Sequence, residues 1–159
     1  MARPVRFEVA GEIGMTPEEI GALILEPANW KLFTGWGPMP GIREARIAHR
    51  PDDGVVGMRF AVTNTDGSHH VEEVIAWELP RAIGLRLCEF SRPLSFLACG
   101  FEEWWRFGAG DASGATRFTR AFELTPKGWW ARPMVKVIAW MLRKAVVKNL
   151  NEMGAAVSA

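Results

Sequence analysis

Three ionisable side chains lie in otherwise apolar, alternating stretches: Glu73 in VEEVIAW, Glu103 in FEEWWRF and Arg120 in TRFTRAF. A carboxylate desolvated by apolar neighbours has a raised pKa and can serve as general acid or base. A guanidinium can hold a developing oxyanion or anchor the polar end of a ligand. The chain has eight Trp and nine Phe but no Tyr, so no phenol can share that work. The remaining donors are Arg120, an indole N–H or the backbone. If these groups turn over a substrate, Arg120→Ala should abolish turnover and leave folding intact. The competing reading is a structural cross-strand pair near a sheet edge, which contributes little to function.

Other chemistries find no support in the residue pattern. His69-His70 falls at a turn or strand start, His49 lies in a different strand, and no HExxH motif or cysteine cluster is present, so no metal site is expected. Cys88 and Cys99 lack CxxC spacing and read as small core hydrophobes. There is no GxSxG. Gly108-Ala109-Gly110 joins two strands instead of opening a helix, which argues against a nucleotide site. Neither a cofactor nor nucleic acid is expected.

The elements that must position these residues follow from the hydrophobic period. Val5, Phe7, Val9 and Ile13 mark a half-buried opening strand. Thr16-Pro17-Glu18-Glu19 is a strong helix start, with a capping residue, a proline at the first helical position and early acids. The helix covers about 17–25, and a short turn of helix ends near Trp30. GWGPMPG (35–41) reads as irregular. Strands are then expected at 42–50, 55–64, 70–78, 82–90, 95–107 and 115–125, joined by short polar or Gly/Pro connections that favour antiparallel neighbours. The period returns to helical for about 128–156. The expected fold is α+β: a curved seven-stranded antiparallel sheet around a long C-terminal helix, with two short helices after the first strand, in a single domain spanning 1–159.

Hairpin arithmetic assigns the inner face. Opposing Phe107 to Thr116 brings Trp105 against Phe118, Glu103 against Arg120 and Phe101 against Phe122, with the parity firmer than the absolute register. Pairing 70–78 with 82–90 opposes Trp77 to Ile83, Ile75 to Leu85 and Glu73 to Leu87. Met58, Phe60 and Val62 join the same face. Asn64 and Asn149 are weaker additions to the polar set.

Taken together, these segments resemble the START-like, or SRPBCC, helix-grip superfamily, which contains polyketide cyclase/dehydrase-like proteins, lipid-transfer domains and plant pollen-allergen relatives. The resemblance rests on FEVAGEI followed by MTPEEIGALILEPANWKLF, on VGMRFAVTNTDG with VEEVIAWELPRAIGLRL and its Trp-x-x-Pro-x-Arg turn, and on GATRFTRAFELTP before the long helix. Glu26 stands where Asp is more usual. The resemblance covers essentially the whole chain. It implies a cavity between sheet and helix but no shared catalytic motif.

The leading functional expectation is therefore binding of an apolar small molecule, whether lipid, aromatic or polyketide-like. Phe60, Trp77, Phe101, Trp105, Phe118, Arg120, Phe122, Met134, Ile138 and Met141 are the expected ligand-binding residues. GWGPMPG, with Phe33 and Trp36, is expected to form a lip of the cavity mouth. An acid–base cyclase or dehydrase using Glu73, Glu103 and Arg120 is the alternative.

A third class, docking to a membrane surface or a partner, comes from charge. Residues 1–125 carry a net −4 and residues 126–159 a net +5, with Lys136, Arg143, Lys144 and Lys148 on the polar side of the helix. A solvated outer helix face explains most of that pattern but not Trp140. With no run of about 18 apolar residues and an N-terminus unlike a signal peptide, the expected location is cytoplasmic. Oligomeric state is left open.

Overall fold

The structure, a computed structural model, describes residues 2–158. Strand β1 (Val5–Ile13) opens the chain and leads into helix α1 (Pro17–Leu25). The capping box is complete: the Glu19 N–H donates to the Thr16 hydroxyl at 3.1 Å, and the Thr16 N–H donates to the Glu19 carboxylate at 2.9 Å. A 3₁₀ helix (Pro27–Leu32) follows, and Trp30 ties it back by donating its indole N–H to the Ile24 carbonyl at 2.9 Å.

GWGPMPG forms a small ribbon of β2 (Gly35–Trp36) and β3 (Met39–Pro40), where an irregular loop is expected from composition. Gly35 and Gly37 supply the positive φ values that the tight reversal requires.

The main sheet is completed by β4 (Ile42–His49), β5 (Arg59–Asn64), β6 (His69–Glu78), β7 (Ala82–Cys88), β8 (Ala98–Ala109), β9 (Thr116–Pro126) and β10 (Ala156–Val157). Its spatial order is β10-β1-β9-β8-β7-β6-β5-β4, antiparallel throughout. There are eight strands, not seven, because the chain after the long helix returns to pair Val157 with Gly11. Gly11 is needed there, since a Cβ would stand 2.8 Å from the Ala156 carbonyl oxygen. Helix α2 (Leu94–Leu97) takes the start of the segment expected as a strand from 95. Residues 55–58 are likewise turn instead of strand.

Helix α3 (Arg132–Glu152) lies against the concave face, the helix-grip arrangement. It is shorter than the expected 128–156 because the chain turns at residues 127–131 and again at Gly154, whose φ is +88°. Val135, Ala139, Leu142, Ala145, Val146 and Leu150 are its buried stripe. Phe60, Phe118, Ile20, Ile83 and Leu124 are fully buried on the other elements. Burial of a side chain of this size contributes about 1.5–3 kcal/mol.

Two register details decide which residues face the helix. β8 and β9 pair two residues away from the arithmetic alignment: Phe107 opposes Phe118, Trp105 opposes Arg120 and Glu103 opposes Phe122. The parity is kept, so the same side chains point inward. In β6, by contrast, an irregularity between Val74 and Ala76 changes parity part-way along the strand. Trp77 still opposes Ile83, but Val74 opposes Leu85 and Glu72 opposes Leu87. Ile75 and Glu73 are thereby turned to the outer face, where a Cβ on Gly84 would meet Ile75 and Trp104.

Candidate functional site

Between the concave sheet and α3 is a cavity of about 360 Å³. That is within the range of small-molecule sites. Its apolar wall is made by Leu85, Leu87, Phe101, Trp105 and Phe122 from the sheet, Ile138, Met141 and Leu142 from α3, and Leu94 and Leu97 from α2. Trp30 closes one side, its ring tilted against that of Phe60 with the centroids 4.5 Å apart. The exposed lining residues, Leu32, Pro38, Asp66, His69, Arg92 and Pro93, mark the rim. Phe33, Pro38, Met39 and Pro40 bring the β2–β3 ribbon to the cavity, while Trp36 instead meets Trp140 edge-on at 5.2 Å.

Two polar groups interrupt this wall. The first is centred on Arg120, which is 6% exposed and hydrogen-bonds through Nε to Glu103 Oε2. Trp105 donates its indole N–H to the same oxygen at 2.5 Å. Arg120 Nη1 donates to Asn149 Oδ1 at 2.8 Å, and Asn149 donates in turn to the Leu32 carbonyl. Sheet, helix α3 and the 3₁₀ helix are thus joined through one guanidinium. Its flat face lies 5.0 Å from the Trp105 ring and 5.6 Å from that of Phe122.

The pair resolves the cost of burying two charges by placing them against each other. Burial pushes the Glu103 carboxyl above its ordinary range, while the Arg120 charge and the hydrogen bonds from Arg120 and Trp105 hold it back. Among the described residues, Glu103 Oε1 and Arg120 Nη2 make no hydrogen bond, and neither atom is completely buried. One acceptor and one donor of this cavity-lining pair are therefore left without a protein partner.

The second group is His70–Glu72, with Nε2 and Oε1 3.0 Å apart. Asn64 Nδ2 approaches His70 Nδ1 at 3.4 Å. Both members line the cavity, and Glu72 is 7% exposed.

The expected site residues divide accordingly. Phe101, Trp105, Arg120, Phe122, Ile138, Met141 and Glu103 line the cavity. Phe60 and Phe118 lie beneath its wall, fully buried. Trp77 does not reach it: a Cβ on Gly21 of α1 would meet the Trp77 ring at 3.3 Å, so that indole packs under α1. Met134 is 51% exposed, outside the cavity. Glu73 is replaced by its neighbour Glu72, because the β6 irregularity turns Glu73 outward to within 3.9 Å of Arg59. His70, read from sequence as an exposed turn residue, faces inward with Glu72. Counting alternation from the turn end of β6 instead of from Trp77 would have found both. Trp30 carries no such signal, since its place depends on how the 3₁₀ helix packs against the edge strand β4.

A family model described as polyketide cyclase / dehydrase and lipid transport matches residues 4–158. The chain belongs to this family. The fold agrees with solved members of related architecture. The ZhuI aromatase/cyclase from Streptomyces sp. R1128 superposes with a TM-score of 0.69 at 11% identity, covering 95% of this chain and 92% of that one. A START superfamily protein from Mycobacterium smegmatis gives 0.64 at 16% identity, covering 91% and 93%. XoxI from Bacillus cereus gives 0.63 at 14% identity, covering 94% and 92%. Comparison with curated protein sequences finds no match. At these identities the structural likeness establishes the helix-grip fold alone. Family and fold together make this a cavity-forming START-like protein of the polyketide cyclase type.

Proposed function

We propose that the protein binds one apolar small molecule, of aromatic, polyketide or lipid-like character, in the cavity between its sheet and α3. The observation that carries this reading is that Arg120 Nη2 and Glu103 Oε1, a donor and an acceptor without protein partners, belong to residues lining a mostly apolar cavity. A ligand hydroxyl or carbonyl oxygen can accept from the guanidinium, and a hydroxyl can also donate to the carboxylate. The ligand is expected to be uncharged at that end, because Arg120 and Glu103 already neutralise each other. Its apolar body would lie along Leu87, Phe101 and Phe122 against Ile138 and Met141.

Native mass spectrometry of the intact chain from its source cell tests this. The expected result is a retained small molecule at one per chain that dissociates on activation. A ligand-free mass together with failure to take up any apolar compound would overturn the proposal.

A second reading, acid–base catalysis of the cyclase or dehydrase kind, is favoured by one specific observation. Glu103 has a carboxyl raised in pKa by burial and an oxygen open to the cavity, as a general base requires. The two readings separate on the fate of the compound: a binder returns it unchanged, whereas an enzyme returns it altered in mass.

A further inference from the structure

The outer surface of α3 and its approach are unusual for a solvated helix face. Trp129 is 82% exposed, Trp130 56%, Phe96 53%, Met134 51%, Val137 47% and Trp140 55%. They lie at the approach to α3 and along its outward side. The Lys127 N–H donates to the Leu97 carbonyl at 2.9 Å, which brings the segment carrying Trp129 and Trp130 beside α2 and Phe96. Val137 and Trp140 are three residues apart on α3, on one side of the helix. Around them are Lys127, Arg132, Lys136, Arg143 and Lys144, none of which forms an ion pair among the described residues. Lys144 Nζ instead sits 5.8 Å from the Trp140 ring centre. The one acid on α3 is Glu152, in its last turn.

We infer that this face docks on an anionic membrane surface. Indole rings suit the boundary between headgroups and acyl chains, where the ring is apolar and the N–H remains wet. Lysine and arginine beside them meet lipid phosphates, each at about the strength expected of a cation near an anionic leaflet. A second copy of the chain is a poor occupant: a two-fold contact would set the same cations against each other. The position also matters. The patch borders Leu94, Leu97, Ile138 and Met141, which line the cavity, so a docked protein would hold its apolar cavity next to the bilayer. The docking itself does not depend on which molecule the cavity holds.

Flotation of the full-length chain with phosphatidylcholine vesicles, and with vesicles containing about one-third phosphatidylglycerol, tests the inference. The chain should float with the anionic vesicles only. Binding should weaken as salt shortens the Debye length from about 10 Å at 0.1 M to about 3 Å at 1 M. Trp129→Ala/Trp130→Ala should lose flotation while keeping the circular dichroism of the parent, and Lys136→Gln and Lys144→Gln should each weaken it roughly fivefold. Absence of flotation with anionic vesicles, or flotation that the tryptophan pair does not alter, overturns it. So does a dimer in light scattering that the same tryptophan substitutions dissociate, because a second copy would then cover the face.

Discussion

At the scale of single residues, Arg120 is where folding and ligand recognition meet. It holds Glu103, Asn149 and two aromatic faces at once. Arg120→Ala, which looks from sequence like a clean test of chemistry, therefore also breaks a buried ion pair. Arg120→Met should cost about 3–5 kcal/mol, the usual loss when one partner of such a pair is removed. The loss has a pH signature. Glu103 has a folded-state pKa above its ordinary 4.5, so stability linked to it is complete below the unfolded value and declines as pH rises through the folded one. Without Arg120 the carboxyl rises further. The gap between parent and variant should consequently widen as pH rises from the acidic to the alkaline side, as read by urea denaturation. A gap independent of pH would mean that Glu103 does not depend on Arg120. A sharper contrast separates two adjacent carboxylates. Glu72→Gln should alter binding in the cavity, whereas Glu73→Gln, which removes only a half-exposed contact to Arg59, should leave binding unchanged and cost under about 1 kcal/mol.

At the scale of elements, alternation made most of this sheet legible in advance, and the failures have local causes. In β8 and β9 alternation runs unbroken, so the inward set of Phe101, Glu103, Trp105, Phe118, Arg120 and Phe122 was readable even though the pairing lies two residues away. In β6 a single irregularity inverted the reading for Glu73 and Ile75, and no residue type in VEEVIAW announces it. Trp77 and Met134 show a different limit. Both lie on strongly patterned elements, but which neighbour covers them is a tertiary matter: α1 covers Trp77, and Met134 is left half exposed. Phe118 tests how far the β9 wall supports the cavity without lining it. Phe118→Ala should cost about 3–5 kcal/mol by urea denaturation, because its ring is fully buried against Trp105 and Phe107. A loss below about 1 kcal/mol would show that the wall relaxes to fill the gap.

At the scale of the whole molecule, charge is divided along the chain. Residues 1–125 carry the acidic excess and residues 126–159, most of them α3, the basic one, and the cavity lies between sheet and helix with its two polar groups, Arg120–Glu103 and His70–Glu72. No described helix is long and apolar enough to cross a membrane, so a membrane role would be one of surface contact at the Trp129–Trp140 face. The abundance of Trp and Phe, opaque as composition, resolves into three uses. Some close the core, some line the cavity, and some stand in solvent beside it. The claim on which the account depends is that the cavity accepts an apolar ligand. Titration with N-phenyl-1-naphthylamine, an uncharged aromatic probe whose N–H can donate to a carboxylate, tests it against Leu87→Trp, a substitution that fills the cavity while leaving the circular dichroism of the parent unchanged. Saturable enhancement of emission at one probe per chain is expected in the parent, and its loss in Leu87→Trp. Equal binding by both, or none by the parent, would contradict it.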